Sequence, residues 1–313
     1  MTTTRIEVKK TAALTGHRDC VYALAPADEP HTFFSAAGDG MVVRWDLRQP
    51  DEGELIAKLP NSIYALCSLP QRGALVVAHN YQGVHLIDWK EKREINSLQL
   101  TSAAIFDLLV VGNELWVATG EGTVLVVDMQ AWRIKTKLAH SEKNARTIAF
   151  HEGRGEVAVG YSDHWIRIFD VHSHELKKQW KAHENSVFAL RYSPDQKYLL
   201  SGSRDARLKA WWVDGYELQK EVVAHLFAIN HLDFSPDGKH FVTCSMDKSI
   251  KVWRTLDLTL LKVIDKARHA GHGTSVNKLL WTSFNNQLVS ASDDRSLAVW
   301  ELFFKLQPTA TQS

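Results

Sequence analysis

One spacing recurs through this sequence and restricts the folds that the chain can adopt. In four stretches an aspartate lies 22 residues after a histidine, and a tryptophan lies six residues after that aspartate. Two fixed intervals that hold four times indicate repeated copies of one structural unit rather than four coincidences. The four sets are His17/Asp39/Trp45, His183/Asp205/Trp211, His225/Asp247/Trp253 and His272/Asp294/Trp300.

Weaker copies fill the gaps between the regular ones. His140, Asp163 and Phe169 form a fifth copy, which has one extra residue in its first interval and phenylalanine in place of tryptophan. Two further copies end at Asp88 and Asp128 and keep only the aspartate that follows the tryptophan position. Successive copies end 40 to 47 residues apart, so seven units account for nearly the whole chain.

The local pattern within the units favours short strands. Lys197–Ser201 and His240–Thr243 are rich in residues that favour strands, and each follows a turn segment that contains Ser-Pro-Asp. No segment is long enough and periodic enough to indicate a helix, and no linker interrupts the succession of strands. The sequence therefore predicts one closed all-β domain that spans residues 1–313.

At this point the sequence resembles the WD-repeat family. The resemblance is carried by Gly16-His17 together with Arg44-Trp45-Asp46, by Phe234–Lys239 with the letters FSPDGK, and by Ser249–Trp253 with the letters SIKVW. It covers roughly residues 4–302 and implies a seven-bladed β-propeller of four-stranded antiparallel blades.

The second and third copies depart from the family pattern. Leu59 or no histidine stands at the histidine position, and Tyr81 or Glu121 replaces the aspartate. We place the seven units, on this alignment, at residues 14–58, 59–99, 100–138, 139–181, 182–223, 224–264 and 265–302.

The resemblance also implies a device that closes the ring. WD-repeat propellers usually complete the last blade with a strand from the opposite terminus, and residues 4–12 include the strand-like piece Arg5–Val8. We predict that this segment is the outer strand of the blade whose inner strands end at Trp300. Such pairing removes the exposed edges that an open ring would leave.

The recurring histidine, hydroxyl, aspartate and tryptophan look like parts of a hydrolase triad, but we interpret them as structural. A catalytic set is needed once, whereas this set recurs at fixed spacing. The resemblance implies a hydrogen-bond network that ties the histidine loop to the tryptophan strand and compensates a mostly buried carboxylate. Its predicted members are His17, Asp39, Trp45, His183, Ser201, Asp205, Trp211, His225, Thr243, Asp247, Trp253, His272, Ser290, Asp294 and Trp300.

Other signals for chemistry are weak. The stretch Gly120-Glu121-Gly122 lacks the third glycine of a dinucleotide-binding fingerprint and is interpreted as a turn. His172 and His174 have no third ligand nearby in sequence and are interpreted as a solvated surface pair. The sequence holds no Walker-type loop, CxxC or HExxH motif, so we predict no enzyme activity, no cofactor and no metal site.

Charge and apolar runs limit the partners and the compartment. Lys plus Arg number 37 and Asp plus Glu number 36, so the formal charge of +1 gives no overall attraction to nucleic acid or to an anionic membrane. No run of about eighteen apolar residues could span a bilayer, and no apolar run follows the first residues as in a signal peptide. Three widely spaced cysteines fit free thiols, and we expect a soluble cytoplasmic protein.

A candidate partner surface follows from the resemblance. It implies that the residues three and five positions after the histidine, and the residue before the aspartate, face the top rim of the central channel. Aromatic and arginine side chains in such positions are typical of interface hot spots. The alternative that the rings plug the channel mouth or pack beside neighbouring blades stays open. The candidates are Tyr22, Tyr64, Phe106, Arg146, Phe188, Arg204, Asn230, Met246, Asn277 and Asp293.

The last interval is longer than the others and extends a loop on the same face. Residues 264–270 include Lys266, Arg268 and His269, and loops tolerate such insertions at little cost and often carry function.

We weigh three functions. The first is a non-catalytic scaffold that binds a peptide or protein domain on its top face, as a monomeric propeller within a hetero-complex. The alternative is a nucleic-acid-associated subunit of an RNA-processing or modifying complex, although direct nucleic-acid binding is disfavoured by the near-neutral charge. A propeller enzyme is the third, and no single unrepeated catalytic constellation supports it.

Overall fold

The computed structural model describes residues 2–308 and shows seven sheets of four antiparallel strands arranged in a ring. This is a seven-bladed β-propeller, and it confirms the predicted fold class. In blades 1 to 6 the chain runs from the innermost strand, beside the central channel, to the outermost strand. We call the face that carries the loop before each innermost strand the top face.

The strands are short, except for the first and the last. Their bounds are β1 Thr2–Leu14; in blade 1, β2 Val21–Pro26, β3 Thr32–Ala37, β4 Met41–Asp46 and β5 Gly53–Lys58; in blade 2, β6 Leu66–Leu69, β7 Ala74–His79, β8 Gly83–Asp88 and β9 Arg93–Gln99; in blade 3, β10 Ile105–Val111, β11 Glu114–Thr119, β12 Thr123–Asp128 and β13 Arg133–Ala139; in blade 4, β14 Ala145–His151, β15 Glu156–Tyr161, β16 Trp165–Asp170 and β17 Leu176–Lys181; in blade 5, β18 Val187–Tyr192, β19 Tyr198–Ser203, β20 Arg207–Trp212 and β21 Glu217–Val223; in blade 6, β22 Ile229–Phe234, β23 His240–Ser245, β24 Ile250–Arg254 and β25 Thr259–Ile264; in blade 7, β26 Val276–Trp281, β27 Gln287–Ser292 and β28 Leu297–Pro308.

Helical structure in the described residues is limited to single turns. The α-helix α1 spans Lys266–His269, and 3-10 turns occur at Pro70–Arg72, Glu152–Arg154 and Phe284–Asn286. None of these helices is long and apolar enough to cross a bilayer.

Each blade buries both of its faces against its neighbours. Seven apolar clusters fill the ring, one between each pair of adjacent blades. The second strands show this most clearly, since every residue of β3, β7, β15 and β27 is buried. A strand that packs on both faces is apolar without alternation, which explains stretches such as Ala74–Ala78.

Strand β1 closes the ring by pairing with β28. The order of the last sheet is β1-β28-β27-β26, which confirms the predicted closure by the N-terminal strand. The pairing runs from Thr2 opposite Pro308 to Leu14 opposite Leu297, so it is longer than residues 4–12. The side chains of Ile6 and Leu14 are buried in the clusters on the two sides of blade 7, so β1 adds to the core as well as to the sheet.

A β-bulge recurs at the top of the innermost strands. In six blades the register with the second strand shifts between the first and third residues of the innermost strand, which leaves the second residue without a partner. A bulge of this kind turns a side chain away from the regular alternation of the sheet. The bulged residues are Tyr22, Phe106, Arg146, Phe188, Asn230 and Asn277.

Removal of residues 1–12 should open the ring. The deletion takes Ile6 out of its cluster and exposes the edge of β28, and we expect the melting temperature to fall by about 10 °C or more. Circular dichroism melts measure the change. The control is the pair Arg5→Ala and Lys9→Ala, since both side chains are exposed on the same strand. A deletion variant that melts with the intact chain would contradict the closing role of β1.

Candidate functional site

In the four regular blades the histidine, hydroxyl, aspartate and tryptophan form one connected network. The imidazole Nε2 lies 2.7–2.8 Å from the hydroxyl oxygen, and Nδ1 lies 2.9–3.3 Å from the aspartate carboxylate. The tryptophan Nε1–H donates to the same hydroxyl at 2.8–2.9 Å. The hydroxyls belong to Ser35, Ser201, Thr243 and Ser290, and all four residues are fully buried.

The donors and acceptors fit a neutral imidazole. Because the hydroxyl accepts from the indole, its own hydrogen is free to point at Nε2, which leaves Nδ1–H to donate to the aspartate. Burial lowers the pKa of His17, His183 and His225, and the aspartate opposes that effect. Burial alone would raise the pKa of Asp205 and Asp247, but hydrogen bonds from the histidine and from backbone N–H groups hold it well below the ordinary value.

Blades 3 and 4 make the same loop-to-turn connection with other side chains. In blade 4 the Ser141 hydroxyl donates to Asp163 at 2.7 Å, while the His140 side chain is exposed and lies over Phe169. In blade 3 the Thr101 hydroxyl donates to Glu121 at 2.8 Å. The loop before the innermost strand is therefore held without the histidine.

Blade 2 uses a chain of two histidines. The backbone N–H of Asn61 donates to His79 Nε2 at 3.3 Å, so His79 Nδ1–H donates to His85 Nε2 at 3.2 Å. His85 Nδ1 in turn lies 2.5 Å from Glu94. His79 is buried, and the chain leads from it to an exposed carboxylate on the outermost strand.

A family model described as a WD domain, G-beta repeat, matches residues 8–46, 174–211, 216–254 and 265–301. These stretches contain the two innermost strands of blades 1, 5, 6 and 7 and all or part of the third, and these are the blades with the complete network. The protein is a WD-repeat propeller. WD-repeat propellers typically serve as protein-interaction scaffolds and are generally non-catalytic. No curated protein matches the sequence.

The bulged residues of this WD-repeat propeller, together with Tyr64 of blade 2, surround one cavity. The cavity lies at the top of the channel and has a volume of about 420 Å³. All seven side chains are half-buried, so they are neither fully exposed nor removed from solvent. Seven of the ten predicted surface residues thus lie together, namely Tyr22, Tyr64, Phe106, Arg146, Phe188, Asn230 and Asn277.

Direct contacts connect five of these side chains around the channel. The ring of Tyr22 meets that of Tyr64 edge-on at 4.8 Å, and Tyr64 stacks on Phe106 at 6.0 Å. The Arg146 guanidinium lies 4.1 Å from the Phe106 ring centre and 4.9 Å from that of Phe188. The protein's own arginine therefore fills the space between two aromatic rings, where a cation is attracted to both faces.

The two asparagines complete the circle by hydrogen bonds. The Asn230 side chain donates to the Val276 carbonyl at 2.9 Å, and the Asn277 side chain donates to the Val21 carbonyl at 3.0 Å. Asn277 also donates to Asp293 at 2.7 Å, which holds that predicted residue at the rim of blade 7. Asp293 itself does not line the cavity.

The other two predicted residues stand on the outer surface of the top face. Arg204 and Met246 precede the aspartates of blades 5 and 6, and both side chains are exposed. In the longer loop of blade 7, Asp265 caps α1 and pairs with Arg268 at 2.6 Å. The loop is thus an ordered helical turn in which Lys266 and Arg268 are exposed and His269 is half-buried.

Three exposed apolar side chains on the top face were missed by the sequence reasoning. Leu226 and Phe227 follow His225 and are 83% and 61% exposed, and Tyr81 in blade 2 is 59% exposed. A signal existed, because the other regular copies have polar residues or glycine at the two positions after the histidine. The exposure of Leu226 and Phe227 could have been inferred by comparing them with the polar residues or glycine at the same positions of the other copies.

The interpretation of His172 and His174 as a solvated pair needs a correction. His172 is exposed, but His174 is half-buried, with Nε2 3.0 Å from a Glu114 carboxylate oxygen and its ring against Trp116. The left-handed backbone at His174, with φ of 61°, turns its side chain inward.

Loss of one hydroxyl should destabilise a regular blade strongly. Ser201→Ala leaves the His183 Nε2 and the Trp211 N–H without a partner in the core, so we expect the free energy of unfolding to fall by about 2–4 kcal/mol. Ser201→Thr is the matched control, because blade 6 has Thr243 in the same role. Urea unfolding measures both variants, and equal stabilities would contradict the network.

Stability should fall as the pH drops below about 6.5, the ordinary histidine value. The buried histidines have a lowered pKa, so between the two values the unfolded chain binds more protons and acid favours unfolding. The lowered aspartate pKa adds a second loss only below about pH 4. Urea midpoints from pH 8 to 5 measure the first loss, and a flat profile would show that these histidines do not titrate on unfolding.

Proposed function

We propose that this WD-repeat propeller is a non-catalytic scaffold that binds a partner protein through the mouth of the channel on its top face. One observation carries the proposal: the bulged residues place aromatic and arginine side chains around an open cavity, half-buried and in contact with one another. Leu226, Phe227 and Met246 add exposed apolar area on the same face.

The geometry suits binding by complementary burial. Side chains that already pack against one another lose little rotamer freedom when a partner covers them, so more of the burial appears as affinity. The closed ring keeps the six innermost strands, and the segment before β6, that carry these side chains in a fixed relation. A partner therefore meets a preformed surface rather than a flexible loop.

The repeated serine, histidine and aspartate support a structural role over a hydrolytic one. The four hydroxyl residues are fully buried, and each hydroxyl is engaged by a tryptophan N–H. A nucleophile must reach its substrate, and these oxygens lie inside the blades. The cytoplasmic location and the monomeric state within a hetero-complex stay predictions.

Substitution of the rim should release the partner. We expect Tyr64→Ala with Phe188→Ala to reduce capture of a specific protein from the native lysate by about tenfold or more, since hot-spot residues carry most of an interface. The matched control is Leu55→Ala with Leu218→Ala, which removes exposed apolar side chains from outermost strands. Melting curves establish that both variants are folded.

A photo-crosslinking residue tests the face independently of stability. Placed at Tyr81 on the top face it should attach to the captured protein, whereas at Phe303 on the outer part of blade 7 it should not. Retention of every partner by the rim variant, or crosslinks from Phe303 alone, would reject the top face as the binding surface.

A further inference from the structure

Arg146 holds a positive charge at the channel mouth that no carboxylate of the described residues neutralises. Its Nε donates to the Ser162 hydroxyl at 3.0 Å, and its two terminal nitrogens donate to no protein atom among those residues. Burial and the nearby Arg204 charge disfavour the cation and lower the pKa of Arg146. Arg204 likewise forms no ion pair within residues 2–308 and is exposed.

The lack of an ion pair at Arg146 is unusual on energetic grounds. A partly buried cation is normally accompanied by an anion, because desolvation without a partner is costly. The rings of Phe106 and Phe188 compensate part of that cost and fix the plane of the guanidinium. The two rings contact the faces of the guanidinium and provide no acceptors for its N–H groups. Those N–H groups have the geometry that binds a carboxylate.

The cavity that Arg146 lines is also positively charged. Its lining includes the cations Arg146, Arg191 and Lys278 and a single carboxylate, that of Asp107. Asp107 is already engaged, since its oxygens accept the backbone N–H groups of Leu108 and Ile148. Arg191 pairs with Asp233 at 2.9 Å, so Arg146 and Lys278 against the one Asp107 carboxylate leave an excess of one positive charge.

An apolar patch lies beside the turn that holds Arg204. The Ala206 carbonyl, two residues beyond Arg204, accepts the N–H groups of Ala224 and His225 at 2.9 and 3.3 Å. Those residues lead into Leu226 and Phe227, so the turn with Arg204 and the apolar loop are joined by hydrogen bonds. Met246, 51% exposed, stands beside the same loop because its N–H donates to the Ala228 carbonyl at 3.0 Å.

From this charge and this patch we infer that the top face takes an acidic peptide segment of a partner protein. A glutamate or aspartate carboxylate occupies the site at Arg146 and Arg204, and a large apolar side chain of the same segment covers Leu226, Phe227 and Met246. The inference rests on the proposed function and adds the chemistry of the partner. Basic segments are excluded, because Arg146 already fills the space between the two rings.

Three pools of fluorescent dodecapeptides test the inference by fluorescence anisotropy. All contain leucine, phenylalanine, glycine and serine, and they differ only in having glutamate, glutamine or lysine as the remaining residue. We expect the glutamate pool to bind at least about tenfold more tightly than the glutamine pool, the effect of a charge-assisted pair, and the lysine pool to bind least. A fourth pool with phosphoserine in place of glutamate separates carboxylate from phosphate recognition.

Matched variants locate the site. Arg204→Gln and Arg146→Met should each remove the preference for glutamate over glutamine, whereas Arg72→Gln, at an exposed turn on the opposite face, should leave it intact. Leu226→Ser with Phe227→Ser should weaken the glutamate and glutamine pools by the same factor. Because Arg204 is exposed, its variant stays informative if the Arg146 variant does not fold.

Equal affinity for the glutamate and glutamine pools, tighter binding of the phosphoserine pool, or a glutamate preference that survives Arg204→Gln would overturn the inference. Failure here is distinct from failure of the proposed function. If Tyr64→Ala with Phe188→Ala still releases the captured partner while the pools show no charge preference, the scaffold stands and the acidic segment does not.

Discussion

Packing of every blade on both of its faces is the constraint on which this structure depends. A four-stranded sheet that is apolar on both sides cannot stay alone in water, and each of the seven clusters joins residues of two neighbouring blades. A row of such sheets would leave two uncovered faces at its ends, and the ring removes them. The hydrogen-bond networks are less essential to the ring than this packing, since blades 2, 3 and 4 occupy equivalent places in it with different polar connections.

The sequence predicts the ring because the repeat encodes it. His183, Asp205 and Trp211 keep fixed intervals because their side chains are connected in space, His183 to Asp205 directly and to Trp211 through the Ser201 hydroxyl. The four regular copies set the spacing, and the three weaker copies that follow it complete the count of seven units. The histidine chain of blade 2 was not predictable in this way. His79 and His85 stand outside the repeat positions, and their link to Glu94 exists only once the strands are paired.

The sequence predicted which positions form the candidate site, but not the backbone geometry or the side-chain contacts there. A position counted from the histidine identified Tyr22 and its equivalents, but nothing in the sequence reveals that a bulge places six of the seven over the channel. The position of Arg146 in the repeat does not determine whether its side chain faces solvent or lies between Phe106 and Phe188, because that depends on the distance between blades. The same bulge in six blades thus presents tyrosine, phenylalanine, arginine or asparagine at the channel mouth, and substitutions there can alter the chemistry while the fold is kept.

The pairing of β1 with β28 has a mechanical consequence. The strands are antiparallel, and Thr2 lies opposite Pro308, so the two outer ends of the pair are at the same place. Tension applied between those ends loads the hydrogen bonds one after another, as in the opening of a zipper, instead of all together in shear. Heat has to disrupt the packed clusters between the blades, whereas a pull on these two ends acts first on this one seam.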